Sequence, residues 1–182
     1  TYTVGVKDAN DCVYTSSITI AEPATSVSIS TMTITNVDCY GNSSGAITLV
    51  ATGGVTPYTY NNNSGTFSSS SSFSTLIAGS YTLCVKDNNG CTACSTVQIT
   101  QPSLLSATYS QLNVSCNGLS DGSINLTPSG GVSPYTYNWT GPGTFTKSTQ
   151  NISSLTAGTY NYQITDANNC TKTGSITITE PP

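Results

Sequence analysis

Apolar and polar residues alternate along most of the chain, which is the pattern of half-buried β-strands. The segments SITI (17–20), AITLV (46–50) and SITIT (175–179) show it clearly. No segment has helical periodicity, and no apolar run is long enough to cross a bilayer. Short strands separated by paired glycines and Asn-Gly steps predict an all-β chain built of sandwiches.

The strand pattern repeats at a spacing of 79 residues, the distance from Tyr2 to Tyr81 and from Tyr81 to Tyr160. Each copy closes on a similar segment, which ends at Pro23, Pro102 and Pro181. We therefore predict three repeats: a truncated repeat (1–23) that holds only two strands, a second repeat (24–102) and a third repeat (103–182). Because the chain starts inside a predicted strand, without a Met or a signal segment, we expect it to be a piece of a longer protein.

The third repeat shows the predicted strands most clearly. They cover 105–113, 123–128, 134–139, a short strand near 144–147, another near 150–155, then 159–165 and 173–179. Trp139 resembles the buried tryptophan of immunoglobulin-like folds, and Asn62 stands at that position in the second repeat. The fold class that follows is all-β, with tandem immunoglobulin-like β-sandwich repeats of about 79 residues.

The composition of the chain argues against several classes of function. Charged residues are 7% of the chain, the net charge is −4 and there is no His. With four basic residues the chain has little to bind a nucleic acid backbone. A Ser or Cys nucleophile has no evident base, so we expect no enzymatic activity. Abundant hydroxyl and amide side chains, with seven cysteines, favour an extracellular location.

Five of the seven cysteines recur by position. Cys39 and Cys116 lie in what we name the first loop, residues 36–45 and 113–122. Cys12, Cys91 and Cys170 lie in what we name the hairpin turn, residues 8–12, 87–91 and 166–170. Cys84 and Cys94 occur in the second repeat alone and flank its hairpin turn, which predicts a local disulfide across two strands. The CxxC at 91–94 has no second CxxC or His beside it, which argues against zinc.

Two pairings of the recurring cysteines compete. Bridges within a repeat would be Cys39–Cys91 and Cys116–Cys170, leaving Cys12 unpaired. In a seven-stranded sandwich, however, the first loop and the hairpin turn lie at opposite ends, about 23 Å apart. A disulfide needs Cα atoms within about 7 Å. This topology favours Cys39–Cys170, between repeats, whereas an even number of strands would allow the bridges within a repeat.

Acidic and amide side chains crowd the hairpin turns. Asp8, Asp11 and Asp166 are candidate Ca²⁺ ligands, because carboxylate and amide oxygens suit that ion. The alternative is that Asp and Asn stabilise the turn by hydrogen bonds to its backbone. We favour the second interpretation and expect no cofactor.

Four motifs of the third repeat, in fixed order, resemble the SprB repeat of large surface adhesins of gliding Bacteroidetes. They are CNGLSDGSI (116–124), GGVSPYTYNW (130–139), LTAGTY (155–160) and DANNC (166–170). The second repeat departs from this pattern in having Ser44 where Asp121 stands. The resemblance implies export by the type IX pathway, a cell-surface location and a role in adhesion and gliding.

Three functional hypotheses follow. The first is a structural and adhesive segment of a long secreted surface filament, whose partners are adjacent repeats of the same chain and an adhesion target. The second is an immunoglobulin-like module that binds surface polysaccharide, which exposed aromatic residues at matching positions would favour. The third is a filament that assembles by exchanging strands between chains. None involves nucleic acid or insertion into a membrane.

Overall fold

The computed structural model describes residues 1–22 and 25–182, and within them it contains fifteen β-strands and no helix. It is therefore all-β, as predicted. The predicted boundary between the truncated and second repeats, at Pro23 and Ala24, lies outside the described residues. The described part of the chain has no helix of the length and hydrophobicity needed to span a membrane.

The truncated repeat forms a hairpin of two antiparallel strands, β1 (Tyr2–Lys7) and β2 (Val13–Ile18). Tyr2 pairs with Ile18 and Lys7 with Val13. Every residue of both strands is exposed.

The described part of the second repeat contains six strands in two sheets. They are β3 (Ser28–Thr35), β4 (Gly45–Thr52), β5 (Thr59–Asn62), β6 (Ser72–Leu76), β7 (Gly79–Lys86) and β8 (Thr92–Ile99). One sheet has the order β3-β4-β6 and the other β5-β7-β8. The bridge between Tyr60 and Ser68 stands where the third repeat has a separate short strand.

The third repeat contains seven strands, because it has a separate short strand where the second repeat has only the Tyr60–Ser68 bridge. They are β9 (Ser106–Leu112), β10 (Gly122–Ser129), β11 (Thr136–Thr140), β12 (Thr146–Lys147), β13 (Ile152–Leu155), β14 (Gly158–Thr165) and β15 (Thr171–Ile178). The sheets have the orders β13-β10-β9 and β12-β11-β14-β15. Two antiparallel sheets in this order form an immunoglobulin-like sandwich.

Inward-facing residues of both sheets form one core in the third repeat. Ile124 and Leu126 on β10 are buried with Tyr160, Tyr162 and Ile164 on β14, as their alternation predicts. Trp139 is fully buried, its ring lies 5.5 Å from that of Tyr162, and its indole N–H donates to the Thr149 carbonyl at 3.0 Å. A buried indole with a satisfied N–H contributes both apolar area and a fixed orientation.

The second repeat fills its core differently at the tryptophan position. Asn62, half-buried, pairs with Leu83, where the third repeat pairs Trp139 with Tyr162. Tyr60 is buried, whereas its counterpart Tyr137 is only half-buried. The smaller Asn62–Leu83 pair of the second repeat thus accompanies Tyr60, which is more deeply buried than its counterpart Tyr137.

The chain divides into two compact units, whose borders differ from those of the repeats. The first comprises Thr1–Met32, Thr48–Ser71 and Thr82–Thr96, and the second comprises Thr33–Ile47, Ser72–Tyr81 and Val97–Pro182. The second compact unit thus contains the whole third repeat together with the first loop of the second repeat. The repeat boundaries, which come from the sequence period, stay a prediction.

Candidate functional site

The hairpin turn of the third repeat is organised by the buried carboxylate of Asp166. Its Oδ1 accepts the backbone N–H groups of Asn168 and Cys170, each at 2.9 Å. Its Oδ2 accepts the N–H of Val132 at 2.9 Å, which ties the turn to the loop between β10 and β11. Three N–H donors on one carboxylate hold it rigidly, so Asp166 fixes the position of Cys170.

The Gly-Gly step of the repeat makes room for this carboxylate. Gly131 has φ +61°, and a Cβ there would lie 2.6 Å from Asp166 Oδ2. A Cβ on Gly130, at φ +72°, would clash with the Leu104 carbonyl. The Tyr135 hydroxyl donates to the Gly130 carbonyl at 2.6 Å. The glycines are needed both for their backbone conformation and for the close approach of the turn.

The same framework recurs in the other hairpin turns. Asp87 Oδ1 accepts the N–H groups of Asn89 at 3.0 Å and Cys91 at 2.8 Å, and its Oδ2 accepts that of Val55 at 3.0 Å. In the truncated repeat, Asp8 Oδ1 accepts the N–H groups two and four residues later, at 2.8 and 3.0 Å. Each repeat thus presents its hairpin-turn cysteine on an equivalent frame.

The first loop of the third repeat is closed by Ser115 and Asp121. The Ser115 hydroxyl and backbone N–H both donate to the Asp121 carboxylate, at 2.5 and 3.1 Å. These bonds, the hydroxyl first, hold the pKa of Asp121 below its usual value. The N–H of Gly118 donates to Glu180 at 2.8 Å, which joins the loop to the end of β15.

The first loop of the second repeat uses the same pair in exchanged positions. Here Asp38 stands at the position of Ser115, and Ser44 at that of Asp121. The Ser44 hydroxyl donates to Asp38 at 2.6 Å and accepts the Asp38 N–H at 3.0 Å. The Ser44 hydroxyl, followed by Asn42 and the Cys39 N–H, lowers the pKa of Asp38. The departure at Ser44 is therefore compensated within the loop.

A disulfide joins the first loop of the second repeat to the hairpin turn of the third. Cys39 and Cys170 have Cα atoms 5.7 Å apart, across 131 residues of chain. The Asn168 side-chain amide donates to the Asp38 carbonyl at 2.8 Å beside the bridge. All four residues belong to the second compact unit. The structure thus has the bridge between repeats and not the bridge Cys39–Cys91 within the second repeat.

Cys84 and Cys94, which occur in the second repeat alone, also form a disulfide. Cys84 on β7 and Cys94 on β8 have Cα atoms 4.1 Å apart and are separated by ten residues. Their counterparts in the third repeat, Gln163 and Thr173, lie directly opposite each other in the β14–β15 ladder. The pairing of adjacent strands therefore accounts for this local disulfide.

Cys12, Cys91 and Cys116, predicted among the disulfide cysteines, are exposed and unpaired in this structure. The alternative bridge Cys116–Cys170 is absent because Cys170 is bonded to Cys39. Within the third repeat, the first loop contacts Glu180 after β15, whereas the hairpin turn precedes β15. An eight-residue strand separates these ends by about 26 Å.

The calcium candidates are held by the turn itself. Asp8 and Asp166 accept backbone N–H groups, and Asp11 forms an ion pair with Lys7. Asp11 also has φ +68°, the left-handed conformation that the turn requires at this position. Among the described residues, no group of three or more Cys, Asp or Glu side chains is arranged to hold a metal ion. The backbone hydrogen bonds of Asp8 and Asp166 are of the kind that stabilises a turn.

The first loop, the Gly-Gly step and their spacing identify the repeat. The SprB repeat profile matches residues 31–67 and 108–144. Each of these two segments is similar to the SprB repeat. Each matched segment contains a first loop and a Gly-Gly step, while the hairpin turns lie outside both SprB matches. The match indicates a repeat of the surface-adhesin type.

No curated protein sequence matches the chain. A solved structure of the C-terminal 282-residue fragment of intimin, in complex with the intimin-binding domain of the translocated intimin receptor, is similar at 16% identity with a TM-score of 0.45. The alignment covers 84% of this chain and 64% of that fragment.

Two features of the site were not anticipated from the sequence. One is the tie from Gly118 to Glu180, which the second repeat matches with a bond from Gly41 to Gln101 at 2.8 Å. The other is the contact of Asn168 with Asp38. Two recurrences in the sequence could have indicated these contacts. Gln or Glu precedes the closing proline of each repeat, and Asn occurs in all three hairpin turns.

Proposed function

We propose that this segment is a structural and adhesive part of a long secreted filament at the cell surface. The observation that carries the proposal is the Cys39–Cys170 disulfide, which joins two successive repeats covalently. A bond of this kind limits how far the chain between its ends extends under load. This is a useful property in a protein that links a cell to a surface, and it needs no active site.

The aromatic residues favour a supporting role for the sandwiches over ligand recognition. At matching positions Tyr81 and Tyr160 are both buried. Tyr58 and Tyr135 are half-buried and each donates its hydroxyl to a glycine carbonyl. The exposed Tyr40 and Tyr109 have no aromatic counterpart in the other repeat. Aromatic side chains that stack on sugars would instead be exposed in both repeats.

The mechanical part of the proposal is testable by pulling the chain from its two ends. In the oxidised chain the 131-residue segment closed by Cys39 and Cys170 cannot extend. Reduction releases it, which adds about 430–470 Å of contour length at full extension. Equal contour lengths for the oxidised and reduced chains would contradict a load-bearing bridge.

A matched control lies inside the same segment. The double variant Cys84→Ser/Cys94→Ser removes a disulfide that is enclosed by the Cys39–Cys170 loop. Its oxidised contour length should equal that of the unmodified chain, because the outer bridge still bears the load. Cys39→Ser should lengthen the oxidised chain almost as much as reduction does.

A test of the surface location and of the adhesive role requires cells that produce the protein. An antibody against this segment should label intact cells and reduce their attachment to a surface. The resemblance to gliding adhesins further implies that export uses the type IX pathway, so cells without that pathway should lose the label. Labelling that appears only after permeabilisation would refute the surface location.

Polysaccharide binding is a second candidate, favoured by one groove on the third repeat. Its lining includes amide and hydroxyl side chains of Asn138, Asn161, Gln163, Thr173 and Ser175. In the second repeat Cys84 and Cys94 replace Gln163 and Thr173, so the groove is not a repeated feature. A glycan array probed with the full chain and with Gln163→Ala tests it. Binding that the variant loses would favour recognition of sugars.

A further inference from the structure

The hairpin turn of the second repeat offers the two groups that the third repeat uses in its bridge. Asn89 and Cys91 are the counterparts of Asn168 and Cys170. In both turns the buried aspartate holds the cysteine N–H, at 2.8 Å from Asp87 and 2.9 Å from Asp166. Cys170 is bonded to a first loop, whereas Cys91 is exposed and free.

A cleft lies beside Cys91, lined by residues that include Val27, Gly54, Asp87 and Thr92. The corresponding cleft in the second compact unit is lined by Leu105, Asn169, Cys170 and Thr171. There, however, Cys39, Tyr40 and Asn42 of a first loop complete the lining. The cleft beside Cys91 is thus the counterpart of one that holds a first loop.

The first loop of the third repeat is the other half of such a junction. Cys116 lies in a loop closed by Ser115 and Asp121, as Cys39 lies in one closed by Asp38 and Ser44. Gly118 and Gly41 both have φ +79° and both donate their N–H to the side chain before the closing proline. Cys116 is exposed and free.

We propose that Cys91 and Cys116 are the two open halves of the junction that Cys39 and Cys170 close. Cys91 receives the first loop of a preceding repeat, and Cys116 receives the hairpin turn of a following one. The partner is a further repeat of this kind, with an Asn-Val-x-Cys-x-Gly first loop or an Asp-x-Asn-x-Cys hairpin turn. The inference goes beyond the proposed function, since it concerns assembly of the array whether or not the array adheres.

The chemistry of closure is thiol–disulfide exchange. One thiolate attacks an oxidising disulfide and forms a mixed disulfide, and the thiolate of the partner repeat then displaces the second half of the oxidant. One S–S bond forms between the repeats and one breaks in the oxidant. Two electrons and the two thiol protons are taken up as the oxidant leaves as two thiols.

The full chain, extended by one repeat, tests the Cys116 half. Residues 1–181 are followed by a second copy of 103–182, and the protein is refolded with oxidised and reduced glutathione. The unmodified chain has three free cysteines. The extended chain gains two cysteines, yet it should again titrate three thiols, with a mapped bridge from Cys116 to the copy of Cys170. Five thiols, or a bridge within the added copy, would overturn the proposal.

Two further variants make the result specific. Cys116→Ser in the extended chain should expose the copy of Cys170, so that four thiols titrate, against three without the substitution.

For the Cys91 half, residues 103–158 are placed before Thr1, which completes the truncated repeat and supplies one first-loop cysteine. That chain should titrate two thiols, with Cys91 bridged to the added cysteine. Four thiols there would refute the Cys91 half independently of any measurement of adhesion.

Discussion

The Asp38 carboxylate accepts the hydroxyl of Ser44 at 2.6 Å, and the third repeat forms the same bond with the two residue types exchanged. Both arrangements lower the pKa of the carboxyl through a serine hydroxyl. The first loop therefore requires one serine and one aspartate across its ends, and it accepts them in either order.

This exchange predicts strong coupling between two substitutions. Asp38→Ser alone leaves two hydroxyls, and Ser44→Asp alone sets two carboxylates against each other. Each should lower the melting temperature of the oxidised chain. The double variant Asp38→Ser/Ser44→Asp reproduces the third repeat and should restore most of the loss. Additive effects of the two changes, measured by thermal denaturation, would show that the pair does not act as a unit.

The lowered pKa of Asp121 predicts a defined dependence on pH. Because the carboxyl is more acidic in the folded chain than in the unfolded chain, its contribution to stability is fully present above the unfolded value, about 3.9. That contribution is lost as the pH falls through the lower folded pKa. Carboxyl-carbon NMR should find the Asp121 midpoint below that of an ordinary aspartate.

The control for this titration is Ser115→Ala. It removes the hydroxyl that is the largest cause of the shift and keeps the backbone N–H. The Asp121 midpoint should move up toward the ordinary value in this variant. A midpoint that stays in place would mean that another group lowers the pKa.

Two glycines of the third repeat should differ in their tolerance of alanine. Both have positive φ, but a Cβ on Gly118 meets nothing within 4 Å, whereas one on Gly131 meets the Asp166 carboxylate. Gly118→Ala should cost about 1 kcal/mol of backbone strain. Gly131→Ala should cost more than about 2 kcal/mol, because it also displaces a buried carboxylate.

Denaturation followed by tryptophan fluorescence measures this difference. Trp139 is the one tryptophan of the chain and is buried in the third repeat, so its emission reports unfolding of that repeat. Equal losses for Gly118→Ala and Gly131→Ala would contradict the role assigned to the Gly-Gly step.

Calcium should leave the stability of the chain unchanged. Asp166 uses both carboxylate oxygens for backbone N–H groups, and these bonds would have to break for it to bind an ion. Calorimetric titration should show no saturable heat and no rise in melting temperature. Asp166→Asn should lower the unfolding free energy by about 1.5–3 kcal/mol with or without calcium, since it weakens bonds to a charged acceptor. A calcium-dependent rise in melting temperature would instead support the ion-binding interpretation.

Most of the fold was predictable because its determinants are local. Apolar and polar residues alternate along β10 and β14, and the structure buries the apolar Ile124, Leu126 and Ile164. The short strand near 144–147 was predicted from little more than its position between turns, and it is present as β12. Asp, Asn and Gly marked the hairpin turns because these residues favour the backbone that such turns need.

The sequence by itself determined the repeat period, the strands, their inward faces and the recurring cysteine positions. Each of these follows from side-chain alternation and turn chemistry over a few residues. Only the tertiary structure decided that Cys39 meets Cys170, that Ser44 compensates for the displaced aspartate, and that Gly131 makes room for Asp166. These contacts join residues that strand pairing and sheet packing bring together, and the local pattern along the chain does not encode their distances.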